Sequence, residues 1–483
     1  MLKVLFVASE AHPLIKTGGL GDVAGSLPAA LQAQGCDVRL LLPGYRTALE
    51  RAGSVESVAQ IALPQIAADV RLLESRLPGT GVKTWLADYP PAYDRAGGPY
   101  LDPLGHPWAD NAERFALLAR VAAAIALGEA GISWRPDVVH ANDWQTGLTP
   151  VFMMDAPRRP ATVFTIHNLA YQGLFDRTML ARLGLPASLW TLHSLEFHGQ
   201  VSFIKGGLVY GDMLSTVSPT YAREIQTPAL GFGLDGLLRH RTERLVGILN
   251  GIDDREWDPA CDPRITRNYD IGRIGDKRDN KRALQIENGL VPDPKAPLIG
   301  MVSRLVRQKG IDLALDAVPY LMQEQAQIIF LGSGEQGYEN ALTALAARYP
   351  GRMAVRLGYD ETAAHRIESG ADMFLMPSRF EPCGLNQMYS QRYGTPPVVH
   401  RTGGLADTVT DTTSRTLADG SATGFMFDEA TPAASLAAVR RALDYYHSPR
   451  QWSQVKKNAM ARDFSWEASA RQYQTLYQSI LAG

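Results

Sequence analysis

The chain has 483 residues, 45% hydrophobic and 20% charged, a composition that folds and a length that suits two or three domains rather than one core. Lys plus Arg number 48 against 50 acidic residues, a formal charge of −2, which supplies no basic field for nucleic acid or an anionic membrane. The three cysteines, Cys36, Cys261 and Cys383, lie far apart with no CxxC pair, so a disulfide framework and a structural zinc site are both disfavoured and a reducing cytoplasm is expected.

The opening MLKVLFVASEAHP does not read as a signal peptide, because its apolar run is short and Glu10 interrupts it. The longest stretch without a charged residue, 160–175, covers 16 residues, short of the about 20 that cross a bilayer. Short apolar, β-branched runs then alternate with longer helical patterns. Strands are predicted at 3–9, 37–43, 82–88, 137–143, 162–168 and 213–218, and in a second series at 246–251, 298–303, 327–332, 353–358, 373–378 and 397–401. Runs apolar on both faces suit buried parallel strands joined by crossover helices. Ile311, Ala314, Leu315, Val318 and Leu321 recur at helical spacing, the stripe of a helix that packs on a sheet. The fold class is therefore α/β, doubly wound, in two units, with the break near 245–258. The polar stretch 262–281 reads as an excursion rather than core. Two units joined by short segments leave a cleft where a ligand would bind.

One internal echo stands out: residues 17–22 read TGGLGD and residues 402–407 read TGGLAD, preceded by Lys16 and Arg401. Each follows a predicted strand and leads into a helical pattern. Each is thus expected to be a glycine turn at the carboxyl edge of a sheet, where backbone approaches an anion without a Cβ in the way and helix amides face it. Pro28 is expected to kink the first of these helices. Lys16 beside Gly18 and Gly19 is neither GxGxxG nor GxxxxGK[ST], so the dinucleotide and ATPase fingerprints both fail; a Gly-Gly turn taken alone is commonly structural.

Arg304 and Lys309 lie five apart on one loop after a predicted strand. An arginine fork and a lysine point charge there can converge on a diphosphate. Such pairs also decorate surface loops, but the edge after a strand is where α/β sheets bind ligands. His167 closes a strand and opens the polar, aromatic loop HNLAYQG, and HANDW at 140–144 closes another in the same manner; a lone histidine is more often a satisfied core residue. In PSRFEPCGLN, 377–386, Glu381 stands in a turn bracketed by prolines, Cys383 lies beside it, and a helical pattern starts near Gly384. The amides of Leu385 and Asn386 then fall at a helix N-terminus suited to phosphate. No HExxH or other metal-ligand spacing occurs, so metal catalysis has little support.

Taken in order, KTGGLGDV, HANDWQTG, HNLAYQG, VSPTYARE, LNGID, SRLVRQKG, PSRFEPCGLNQ and RTGGLADTV closely resemble the bacterial glycogen synthase and plant starch synthase family, from about Val4 to Trp466. The resemblance implies a GT-B architecture: a Rossmann-like acceptor-side domain at 1–245, to which a C-terminal helix at 460–483 returns, and a Rossmann-like donor-side domain at 246–459. It implies transfer of glucose from ADP-glucose to the non-reducing end of an α-1,4-glucan such as glycogen, with retention, in the cytoplasm and without a cofactor. By the same resemblance Arg304 and Lys309 hold the donor diphosphate, with Lys16, Gly18 and Gly19 contacting it from the facing domain. Tyr359 stacks on adenine, Glu381, Cys383 and Gly384 meet the glucose, and the amides of Leu385 and Asn386 take phosphate. His167 lies beneath the reacting sugar, helped by Asn250 and Asp143, and Tyr100 lines the sugar pocket. Many retaining transferases of this architecture carry a second Glu eight positions beyond the first; here that residue is Tyr389, so ribose is held differently. A related transferase using UDP-glucose, a pyridoxal-dependent phosphorylase and a non-enzymatic glucan-binding protein are the rivals. The presence of Lys16, Arg304, Lys309 and Glu381 together argues against the last.

Overall fold

Every apolar run singled out in the sequence becomes a strand, and hydrogen bonding sorts these strands into two sheets. The computed structural model describes residues 1–64 and 68–482. They divide into two units, Met1–Gly251 with Trp466–Gly483, and Ile252–Ser465.

In the first unit the nine strands run in the order Leu245–Gly247, Met213–Thr216, Ala161–Ile166, Val138–Asn142, Lys3–Val7, Asp37–Pro43, Lys83–Asp88, Ala68–Arg76 and Glu56–Leu63. All are parallel except Ala68–Arg76, which is antiparallel to both its neighbours. Glu56–Leu63 forms the exposed edge and alternates exposed and buried residues near its end, so it offers no continuous apolar run to read. Leu245–Gly247, which the sequence groups with the second series, instead pairs with Met213–Thr216 and completes the first sheet. The chain runs outward from Lys3–Val7, then returns to its other side at Val138–Asn142. That reversal is the switch point where a crevice opens beyond the carboxyl ends of the strands.

The second unit repeats the plan with six parallel strands: Met353–Leu357, Gln327–Gly332, Leu298–Val302, Met373–Met376, Pro397–His400 and Phe425–Phe427. Its switch point lies between Leu298–Val302 and Met373–Met376. The helix Ile311–Gln323 buries Ile311, Ala314, Val318 and Leu321 as its periodicity requires, with Leu315 half-buried at the margin. The helix Gly19–Ala33 is continuous, with Pro28 inside it.

The segment 262–281 is docked rather than peripheral, which overturns the reading from its polarity. Asp262 accepts from Tyr393 Oη at 2.6 Å and lies 2.8 Å from His365 Nδ1, with both carboxylate and imidazole buried. Lys277 Nζ donates to Ser369 O at 2.7 Å and Thr395 Oγ1 at 2.6 Å, and Lys281 pairs with Asp372 at 2.7 Å. Polar side chains enter a core when each finds a specific partner, and composition cannot show such pairing. The helix Trp466–Ala482 packs on the first unit, burying Trp466, Tyr473 and Tyr477; Tyr477 Oη lies 2.7 Å from His140 Nδ1. Among the described residues no helix is long and apolar enough to cross a membrane.

Candidate active site

In the first unit, polar side chains gather at the switch point. Ser9 and Glu10 follow the strand Lys3–Val7, Asp143 follows Val138–Asn142, and His167 follows Ala161–Ile166. Asn142 donates its amide hydrogens to Val7 O at 3.0 Å and His140 O at 3.2 Å. Its Oδ1 is thereby turned toward His167 Nε2, 3.0 Å away. This fixes His167 as the tautomer that donates through Nε2, with Nδ1 left as the acceptor. Enclosure of the ring pulls the His167 pKa down to about 3, so the imidazole is neutral at ordinary pH. The structure thus gives His167 to Asn142, a residue the sequence reading passes over. His140, in the same HANDW run, points away from any site: it is wholly buried, bonded to Tyr477 and to Thr165 Oγ1 at 2.6 Å.

Asp143 adopts φ 61° and ψ −179°, a region almost confined to glycine and costly for any side chain. Its carboxylate accepts from Trp144 N–H at 3.0 Å. Burial, with repulsion from Glu10, pushes its pKa up to about 8. Tyr100 Oη lies 2.7 Å from Ser9 Oγ and its phenol is held well above the usual range by burial. Asn250 follows the edge strand; it is 8% exposed, and its Oδ1 has no hydrogen-bond partner among the described residues. A buried acceptor left in that state awaits a donor from ligand or water.

Lys16 pairs with Asp22 at 2.6 Å while a third of its side chain stays exposed. Gly18 is the N-cap of the helix Gly19–Ala33. A Cβ at Gly19 would meet nothing within 4 Å, and one at Gly18 only Glu10 Oε1 at 4.0 Å. The protein itself therefore does not demand glycine at either position; the space in front of the turn is open. The second echo differs. A Cβ at Gly403 would fall 1.9 Å from Glu381 O, and one at Gly404 2.1 Å from Cys383 O, and Arg401 is paired with Asp428 at 2.6 Å. There the packing of the Glu381 loop requires glycine at both positions.

That loop is the centre of the second unit's site. Lys309 Nζ donates to Glu381 Oε2 at 2.5 Å, and Ser378 Oγ donates to the same oxygen at 2.9 Å. The two loops are locked together by backbone as well: Arg379 N–H donates to Gln308 O at 2.8 Å. Gly310, at φ 68°, lets its Cα press on Pro377 O, which a Cβ would approach to 2.1 Å. Asn386 Nδ2 donates to Val302 O at 2.7 Å, tying the start of the helix Asn386–Arg392 to the end of the central strand. Leu385 is that helix's N-cap, Cys383 is buried, and Gly384 adopts φ 71°. Arg304 is exposed on the same loop as Lys309. Tyr359 lies beyond the edge strand Met353–Leu357 and is 77% exposed.

A groove of about 520 Å3 on the first unit is lined by Trp144, Tyr171, Gln172, Leu174 and Phe232. It lies just past the strands that carry Asp143 and His167. Tyr171 and Phe232 are partly exposed. Phe232 is not signalled by the sequence, since it stands in a Gly-rich loop far from any strand end. Among the described residues Glu256, Glu361 and His365 come close enough to share a metal ion. Arg264 Nη2 already lies 3.0 Å from Glu256 and 3.7 Å from Glu361, so a guanidinium supplies the cation there.

Two doubly wound units, each with polar and charged side chains at its switch point, are the plan of an α/β enzyme that binds its ligand beyond the carboxyl ends of its strands. Residues 3–240 match the family model of the starch synthase catalytic domain, and residues 284–459 that of glycosyl transferases group 1. Glycogen synthase 1 of Methylococcus capsulatus is 55% identical over 100% of this chain and 97% of its own. Glycogen synthase of Thioalkalivibrio sulfidiphilus is 52% identical over 100% of both chains. The solved catalytic domain of starch synthase IV from Arabidopsis thaliana, bound to ADP and acarbose, superposes with a TM-score of 0.90 at 30% identity over 100% of each chain. The chain therefore belongs to the glycogen synthase and starch synthase family and is a hexosyltransferase.

Proposed function

We propose that the chain transfers glucose from ADP-glucose to the non-reducing end of an α-1,4-glucan, with retention at the anomeric carbon and release of ADP, in the cytoplasm. The observation that carries this reading is the pairing of Lys309 with Glu381 at the switch point of the second unit: a cation for the leaving diphosphate beside a carboxylate for the sugar. The reading makes the second unit the donor side and the first unit the acceptor side. Arg304 and Lys309 take the diphosphate, together with Lys16 and the turn at Gly18 and Gly19. The amides of Leu385 and Asn386 add helix N–H donors, and Tyr359 stacks on adenine. Cys383 and Gly384 border the glucose. A relative with ADP and acarbose bound supports this choice of substrates.

Cleavage of the glucosyl–phosphate bond leaves positive charge on the sugar and sends negative charge to ADP. Cations already in place stabilise that charge as it develops, commonly the largest catalytic contribution. Glu381 is engaged by Lys309 and Ser378, which makes it a poor nucleophile and a good counter-charge. The acceptor hydroxyl then attacks on the face that ADP leaves, and a departing phosphate oxygen takes its proton. Neutral His167, positioned by Asn142, and protonated Asp143 serve as hydrogen-bonding groups for the sugar, with Tyr100 and Asn250 around it. The groove with Trp144, Tyr171 and Phe232 offers aromatic faces to the glucan. The test is incubation with radiolabelled ADP-glucose or UDP-glucose plus glycogen. Label in polymer from ADP-glucose supports the reading; its absence, or a glucosyl–enzyme adduct trapped on Glu381, overturns the function or the attack geometry respectively.

A further inference from the structure

Glu10 has no part in the reaction as derived so far, yet it occupies the middle of the first unit's switch point. Only 3% of it is exposed. Its carboxylate accepts the amide hydrogen of Thr17. The segment between doubles back on itself: Ile15 N–H donates to Ala11 O at 2.9 Å, His12 N–H to Gly21 O at 2.9 Å, and Gly21 N–H to Gly18 O at 3.1 Å. One carboxylate thus closes the loop that displays Lys16, and Asp22, 2.6 Å from Lys16, bounds the ammonium from the helix side.

Placing a carboxyl group there is costly. Desolvation, with repulsion from Asp22, lifts the Glu10 pKa to about 7, and Glu10 in turn raises Asp143 and Tyr100. A loop that needed only closing would be served by a neutral amide. Hydrogen bonds from backbone amides to a carboxylate are stronger and more directional, and this one acts beside a helix N-terminus, where negative charge is favoured.

We propose that Glu10 is a positioning residue for the sugar donor: by gripping the amide of Thr17, it aims the Lys16 ammonium and the following helix amides at the diphosphate. The inference rests on the reading of the Lys16–Gly19 turn as a diphosphate contact. With Thr17 N–H committed to Glu10 and Gly21 N–H to Gly18 O, the donor meets the remaining amides at the start of the helix Gly19–Ala33.

The test is a double-mutant cycle on the full chain with Glu10→Gln, Lys16→Ala and both together. Transfer kinetics are followed against ADP-glucose and against glycogen, with thermal melts alongside. Glu10→Gln keeps the size and removes the charge. It should lower kcat/KM for the donor about tenfold to a hundredfold, the effect of losing a charge-assisted hydrogen bond, and leave KM for glycogen unchanged. In the Lys16→Ala background most of that loss should vanish, because there is no longer an ammonium to aim. Unchanged donor kinetics in Glu10→Gln, equal damage to donor and glycogen parameters, or losses that multiply independently in the double variant would each overturn the proposal. Unchanged donor kinetics in Lys16→Ala would overturn the reading of the turn itself, and Glu10's role with it; this is told apart because Glu10→Gln then has no partner effect to lose. Should Glu10→Gln melt too low to assay, Glu10→Asp, one methylene shorter, runs the same cycle.

Discussion

Replacing Lys309 by alanine should damage stability and turnover together, and the two effects can be separated. Lys309 Nζ lies 2.5 Å from Glu381 Oε2, with side-chain exposures of 18% and 7%. At an effective dielectric of 20 the attraction over that distance is about 7 kcal/mol, much of it offset by the cost of desolvating both ions. What Lys309→Ala leaves behind is a buried carboxylate with Ser378 Oγ at 2.9 Å as its remaining close donor. Breaking a buried pair from one side costs about 3–5 kcal/mol, and the partial exposure of Lys309 favours the lower end. For a unit of this size each kcal/mol shifts Tm by about 2–4 °C, so the transition of the second unit should fall by about 6–12 °C. Adding Glu381→Gln removes the stranded charge, and the double variant should recover most of the lost Tm while staying inactive. Calorimetry at low salt, paired with the label-transfer assay, reads both quantities. A Lys309→Ala chain that melts with the unsubstituted protein, or a double variant less stable than Lys309→Ala, would refute the account of this pair as a desolvated ion pair.

The two glycine turns should respond in opposite ways to alanine: Gly19→Ala, with nothing within 4 Å of its Cβ, should keep the unsubstituted Tm and lose donor affinity. Gly404→Ala, forced against Cys383 O at 2.1 Å, should lower Tm whether or not donor is present, and melts with and without ADP distinguish them. Asp143 titrates near 8 in the folded chain against an ordinary value of 3.8, raised chiefly by burial. Between those values the native state holds a proton that the unfolded state has released, so its contribution to stability is present at low pH and declines as pH rises toward 8. Asp143→Asn should therefore melt above the unsubstituted protein at pH 8 by a margin that narrows toward pH 4 in a pH series of melts, while its transfer activity falls. Tyr359→Ala, which removes a ring already 77% exposed, should leave Tm unchanged and raise KM for ADP-glucose more than it lowers kcat in steady-state kinetics.

Much of the fold is legible in the chain because its central strands are apolar on both faces, and that local property survives without tertiary context. The edges are not: Glu56–Leu63 and Ala68–Arg76 bury one face and show the other to solvent, and Phe425–Phe427 is too short to register. The segment 262–281 misleads for the converse reason, since Asp262, Lys277 and Lys281 are core residues whose partners lie about a hundred positions away. The charged loop residues Arg304, Lys309 and Glu381 can be picked out because cations, glycines and prolines punctuate strand ends. Asn142 and Glu10 cannot, because their roles come from what they hold.

By itself the sequence determined the alternation of buried strands and amphipathic helices, hence two doubly wound units, and the residue types needed at their loops. Only the tertiary structure decided that Lys309 engages Glu381, that His167 is a neutral donor fixed by Asn142, and that one TGGL turn stays open while its echo is filled by the Glu381 loop. Periodicity is a property of neighbours along the chain. Desolvation, tautomer and the space in front of a glycine are properties of neighbours across it.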